Sequence, residues 1–310
     1  MLDPNRPAVC LAAFDGWNDA GEAASRTVRA LAELWNAVPL ATIDPEDFVD
    51  FSSSRPMVER RGPDRFVRWP ATEILLGTSP SGQPVVFVVG PEPQLRWRTF
   101  VSILGDVFQA TGVNLVLLLG ALLTDVPHTR PTRISQTAAS QGLADKFGFT
   151  VSRYEGPTGI VGVVADACQQ FGIDAVSMWA SVPHYLPGSQ APRAALALIE
   201  AVGLFLQFPV SPLELHVEAA DFDRQINDVV DGDEDMRRYV SQLEERFDLG
   251  DDEDDDEDED GDDDLDVTED VVLPSDDIVV NGSLTDATGI PLTGDVLAAE
   301  LEQFLRDRDR

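Results

Sequence analysis

The chain has 310 residues and a formal net charge of −34, from 22 basic and 56 acidic side chains. Residues 1–250 hold 32 acids and 19 bases, and residues 251–310 hold 24 acids and 3 bases, so both parts repel nucleic-acid phosphate and anionic membrane surface. Hydrophobic residues make up 43%, enough for a sizeable core, yet the longest apolar run, 115–123, stops far short of the roughly 20 residues of a spanning helix.

The polar start, residues 1–7, lacks the pattern of a secretory signal, and the expectation is a cytoplasmic protein. Residues 8–14 form an apolar run that ends at Asp15-Gly16, followed by a helical pattern with Ala24, Val28, Leu31 and Trp35 on one face. Residues 44–69 are irregular and read as an edge hairpin or an excursion at the sheet border. Residues 85–89 read as a strand, 99–111 as a helix and 115–119 as a second buried strand. Ser135 is expected to cap a helix reaching about residue 147, and a further helix is expected over 158–170. Residues 175–180 read as a strand and 193–208 as an apolar helix. Unbroken apolar strands alternating with helices predict an α/β domain over 1–208, with a mostly parallel sheet covered on both faces.

The character changes after Pro209. Residues 209–248 are amphipathic and charged, with Asp231-Gly232-Asp233 at the middle, and predict a helical hairpin. Residues 249–310 form an acidic tail expected to be largely disordered: 251–264 are acidic everywhere except Gly261. A short docking segment and a helix over 294–305 are further expectations there. Cys10 and Cys168 sit in apolar surroundings without metal-ligand spacing and read as buried hydrophobes of a reducing compartment.

Four strand-end segments carry the candidate chemistry. In Phe14-Asp15-Gly16-Trp17-Asn18-Asp19-Ala20-Gly21, the two aspartates Asp15 and Asp19 suit either a divalent cation or turn-and-cap duty, and Trp17 suits a protein interface. In the second segment, residues 120–131, His128 and Arg130 suit contact with an anion or work as acid and electrophile, or else a rigid proline-bracketed loop at a subunit surface. Glu155, Gly156, Thr158 and Gly159 open a helix, which suits a phosphate cradle or close helix–sheet packing, although no Gly-Lys-Ser/Thr follows. The fourth segment, Met178 to Leu186, places His184 at a strand end. No nucleophile pattern accompanies these histidines, and no catalytic residue, metal or cofactor is assigned.

Together these segments resemble the PAC2 (proteasome assembly chaperone 2) family. The resemblance rests on Gly16-Trp17-Asn18-Asp19-Ala20-Gly21, on Gly120 with His128-Thr129-Arg130-Pro131, on Gly156-Pro157-Thr158-Gly159-Ile160-Val161-Gly162 and on Trp179-Ala180-Ser181-Val182-Pro183-His184-Tyr185. The actinobacterial branch, with its acidic C-terminal extension, is most similar. The resemblance implies a phosphorylase/hydrolase-like three-layer α/β/α sandwich, protein partners that include proteasome subunits, and a homo-oligomer. Some archaeal members carry a C-terminal hydrophobic-Tyr-any tail; here the last residues are Arg306-Asp307-Arg308-Asp309-Arg310. Two functional readings stand side by side. One is a chaperone-like binder of other chains; the other is a hydrolase- or phosphorylase-like enzyme with a small anionic ligand at the strand-end loops.

Overall fold

The structure, a computed structural model, describes residues 7–186, 190–207, 210, 212–250, 284–285 and 291–292. The expectations for 251–264 and for a helix over 294–305 lie outside the described residues. The chain opens with β1 (Ala8–Asp15), α1 (Ala23–Leu34) and β2 (Val38–Ile43). A small hairpin of β3 (Met57–Arg61) and β4 (Asp64–Arg68) precedes β5 (Thr72–Thr78), β6 (Pro84–Pro91), α2 (Trp97–Thr111) and β7 (Val113–Thr124). Next come β8 (Ile134–Ala138), α3 (Gln141–Phe147), β9 (Thr150–Val151), α4 (Ile160–Gln170), β10 (Asp174–Pro183) and α5 (Pro192–Phe205). The last elements are α6 (Leu213–Asp231), α7 (Glu234–Leu249), β11 (Leu284–Thr285) and β12 (Pro291–Leu292).

The sheet order is β12-β11-β2-β5-β6-β1-β7-β10-β8-β9. Its centre, β6-β1-β7-β10, is parallel throughout, and antiparallel pairings flank it on both sides. Side chains alternate across a strand, and β1 shows what that demands. Its Val9, Leu11 and Ala13 pack on the face covered by α1 and α5, while Ala8, Cys10, Ala12 and Phe14 pack on the face covered by α2 and α4. Both sets are buried, so a helix layer is needed on each side and the three-layer α/β/α sandwich follows. The amphipathic stripe of α1 is the predicted one: Ala24, Val28, Leu31 and Trp35 are all buried.

One local expectation is overturned. Residues 134–138 are not helical but form β8, antiparallel to β10 with Trp179 opposite Ser135 and Val176 opposite Ala138. The helix starts later, at Gln141, where the Ser140 side chain accepts from the Leu143 N–H at 3.4 Å. The exposed ladder of β10 offers this segment backbone partners that a solitary helical turn lacks. The excursion at 44–69 contains the β3–β4 hairpin, a separate two-stranded sheet inserted between the neighbouring antiparallel strands β2 and β5.

Cys10 and Cys168 are free and buried. Burial pushes the Cys168 thiol up to about 12 and raises Cys10 as well, so both stay protonated and serve as core groups. No helix among the described residues is long and apolar enough to cross a membrane.

Gly90 in β6 marks the tightest backbone approach in the sheet. A Cβ there lies 2.5 Å from the Thr72 Cα and 2.9 Å from the Ala71 carbonyl oxygen. Gly90→Ala therefore has to move the start of β5, and it is expected to cost about 3 kcal/mol, read as a lower urea midpoint at unchanged slope.

Candidate functional site

The parallel strands β1, β6, β7 and β10 end on one edge of the sheet, where open α/β sheets present their functional loops. After β1 the backbone turns at Gly16, whose φ of +122° is open to glycine alone at low cost. Trp17 then projects outward with 67% of its surface exposed, while Asn18 and Asp19 fold inward and are buried. Asp19 Oδ1 accepts the Ala24 N–H at 2.6 Å and Oδ2 accepts the Ser25 N–H at 3.2 Å, satisfying orphan donors at the start of α1. Burial pushes the Asp19 carboxyl up to about 6, against the pull of these donors. Asp15 is also raised by burial, with Arg29 Nη2 at 3.3 Å from its Oδ2 opposing the rise. The two aspartates thus have separate structural partners. Among the described residues no group of three His, Cys, Asp or Glu side chains is arranged to hold a metal.

Asn18 and a residue that sequence reasoning passed over, Glu92, join the loops. The Asn18 carbonyl accepts the Ala121 N–H at 2.9 Å, fixing the turn beside β7. Its Nδ2 donates to Glu92 Oε1 at 2.8 Å, and the Ile160 N–H at the start of α4 donates to the same oxygen at 2.8 Å. The Glu92 N–H donates to the Asp15 carbonyl at 2.9 Å. A carboxylate at a helix N-terminus is favoured by the dipole and by charge-assisted bonding. The sequence signal for Glu92 was its place directly after the Gly90-Pro91 strand end.

The glycine loop supports packing. A Cβ on Gly159 lies 2.3 Å from Asn18 Oδ1, and one on Gly162 lies 2.0 Å from Thr158 Oγ1. Gly156 sits against Tyr154, whose hydroxyl donates to the Pro157 carbonyl at 2.7 Å. Glu155 and Thr158 are exposed on this loop. Trp17, Leu122, Leu123 and Tyr154 are exposed apolar side chains on the three segments that Asn18 and Glu92 draw together.

His128 and Arg130 lie elsewhere on the rim, under the α6–α7 hairpin. The buried His128 ring meets the Tyr185 hydroxyl at Nδ1, 2.6 Å, and Asn227 Oδ1 at Nε2, 3.1 Å. The Tyr185 oxygen in turn accepts the His128 N–H at 2.8 Å. A neutral imidazole with its proton on Nε2 satisfies all three contacts. Burial lowers the His128 pKa in keeping with that state, and burial pushes Tyr185 up to about 12, keeping its donor proton. Arg130 grips Asp248 of α7 through Nε at 2.8 Å and Nη2 at 2.7 Å, and reaches Glu244 at 3.0 Å. Arg193 Nη1 donates to the His128 carbonyl and to Asp223 of α6, each at 2.8 Å. Arg133 stacks over Phe247 at 3.9 Å from the ring centroid. His184 sits between Asp125, 2.9 Å from its Nδ1, and the Tyr239 hydroxyl of α7, 3.3 Å from its Nε2.

The cavity left beneath this hairpin measures about 30 Å³, room for a water or two. Of Asp15, His128, Glu155 and His184, only His128 lines it. A small-molecule site usually spans several hundred Å³. The loops that suited an anion are instead occupied by this chain's own helices.

Two pH responses of opposite sign follow. Asp19 titrates near 6 folded and near 3.8 unfolded, so its contribution to stability is complete below about 4 and is lost as pH rises through 6. Native stability minus that of Asp19→Asn is expected to be larger at pH 4 than at pH 7 by up to about 3 kcal/mol in chemical denaturation. His128, with its folded pKa depressed, contributes stability that is present above its unfolded pKa and lost as pH falls through the imidazole range. Acidification should therefore speed amide exchange in α6 and α7. His128→Ala should do so at neutral pH, with a loss of about 2 kcal/mol from the unpaired Tyr185 and Asn227 groups.

With this geometry in hand, comparison with known proteins places the chain. A family model described as the PAC2 family matches residues 13–230. A crystal structure of a PAC2 family protein from Streptomyces avermitilis is 38% identical, covering 75% of this chain and 99% of that one, with a TM-score of 0.69. A Mycobacterium tuberculosis protein described as a proteasome-assembly chaperone homologue is 41% identical over the same shares, with a TM-score of 0.68. A Pyrococcus furiosus protein described as an archaeal proteasome activator shares the fold at 15% identity and a TM-score of 0.58, covering 72% of this chain and 93% of its own. Among curated proteins no sequence matches significantly. The match over most of the α/β domain and α6, with these relatives alongside it, makes this chain a member of the PAC2 family.

Proposed function

We propose that the protein is a chaperone-like binder of other polypeptide chains that acts in proteasome assembly, in the cytosol, as a homo-oligomer. The observation that carries this reading is the strand-end rim. It presents Trp17, Leu122, Leu123 and Tyr154 to solvent on loops pinned from behind by Asn18 and Glu92. A rigid exposed aromatic with apolar neighbours is the usual anchor of a protein interface. The second rim region, which a ligand-binding enzyme would leave open, is filled by α6 and α7. The mycobacterial relative's description as a proteasome-assembly chaperone homologue supports the choice of partner. The acidic surface favours partners with basic faces and speeds their encounter.

The test is to mix the purified chain with proteasome α- and β-subunits and follow ring formation by native mass spectrometry. The native chain should bind α-subunits and change the rate of ring formation, and light scattering should give a mass above that of one chain. Trp17→Ala is expected to weaken binding about thirtyfold with melting temperature unchanged, in line with a loss of about 2 kcal/mol at an interface anchor. Equal binding by the variant would remove the rim from the account. A turnover substrate whose conversion vanishes in Asp15→Asn or His128→Gln would favour the enzyme reading.

A further inference from the structure

Among the described residues, the β3–β4 hairpin is an arm with no layer packed over its strands. A two-stranded ribbon is marginal in water without a packed face, yet Met57, Val58, Phe66, Val67 and Trp69 are all exposed here. Its base is fixed by Phe51 against Trp69, ring centroids 4.8 Å apart. Directly opposite residues of an antiparallel pair share a face. On one face Arg68 pairs with Glu59 and Arg61 lies over Phe66, 5.4 Å from the ring centroid. The other face holds Val58 opposite Val67 and Arg60 opposite Arg65. Like charges directly opposite each other weaken a ribbon, and among the described residues neither the Arg60 nor the Arg65 side chain has an ion-pair or hydrogen-bond partner. Residues 55–68 carry five arginines and two acids, a net of +3 in a chain of net −34.

The same chain contains the complement. Residues 251–283 hold 18 acids and no base, interspersed from Leu265 onward with Val267, Val271, Val272 and Leu273. The two ends of this stretch are placed. Before it, α7 is held beside the end of β7 by Arg130 and Asp248. After it, Leu284–Thr285 pairs antiparallel with Ile43 and Thr42, at the end of β2 from which the chain leaves for the arm. From β7 to β2 is four strand spacings, roughly 20 Å. The intervening residues reach roughly 100 Å when extended, so the stretch has ample slack to pass over the arm. We propose that the acidic stretch 251–283 docks in the same chain on the Val58, Arg60, Arg65 and Val67 face of the β3–β4 arm. Its carboxylates neutralise the facing arginines and its later apolar residues cover the valine pair. This goes beyond the rim-binding reading and is independent of it.

Hydrogen exchange on the full chain tests it. The comparison is with a full-length variant in which every Asp→Asn and Glu→Gln change is made across 251–264, leaving the folded domain untouched. At low salt, amides of 57–61 and 64–68 are expected to exchange about tenfold more slowly in the native chain than in the variant. The difference should vanish at 1 M salt, where the screening length is about 3 Å, and should not change on dilution. Equal exchange in the two proteins overturns the proposal, whether the arm stays bare or is covered only when another protein is added. Protection that fades on dilution overturns it as well, because it assigns the arm to a second copy. Neither result bears on Trp17 and the rim.

Discussion

A single oxygen of the Glu92 carboxylate ties three distant parts of the chain. It accepts from Asn18 after β1 and from the Ile160 amide that opens α4, while the Glu92 backbone itself bonds to Asp15. The two bonds to the carboxylate are charge-assisted, and the one from Ile160 is made at a helix N-terminus, the conditions under which a hydrogen bond contributes most. The rim of the sheet is therefore a braced edge. Its exposed apolar side chains are held in place by polar groups buried behind them. The arrangement explains Gly159, whose missing side chain is the space that Asn18 fills.

The same edge shows how one sequence pattern can serve two chemistries. A histidine and an arginine after a parallel strand suit an anion. Here their valences are consumed by α6 and α7: His128 by Asn227 and Tyr185, Arg130 by Glu244 and Asp248. A neutral imidazole buried between a phenol and an amide is a structural joint. The hairpin it holds is amphipathic and acidic, and Leu215, Ala219, Val230, Val240 and Leu243 are its buried residues. The hairpin packs on the β7–β8 connection and on His184 after β10, while Trp17 is exposed among the described residues.

Much of the architecture was legible in advance, for a physical reason that β1 illustrates. A strand buried on both faces must be apolar at every position, and such runs at 8–14, 85–89, 115–119 and 175–180 correspond to the four central parallel strands. The stripe of α1 was legible because its period matches the helix. The antiparallel strands β2 and β5 were not singled out: β2 is exposed at its first two residues, and β5 mixes Thr72, Glu73 and Gly77 among its apolar positions, so neither is an unbroken apolar run. At 134–138 local helix signals lost to pairing with β10, a partner some forty residues away.

For the site the division is sharper. From its own order of residues the chain determined the turn at Gly16, the acidic character of the surface and the two-faced burial of the central strands, because these depend on neighbours along the chain or on composition alone. Only the tertiary structure decided that Glu92 is the brace of the rim, that His128 and Arg130 hold helices, and that Arg60 and Arg65 stand directly opposite each other on an arm. Those outcomes depend on which segments meet in space, and a hydrogen bond between residues 18 and 92, or 130 and 248, leaves no periodic trace in the sequence.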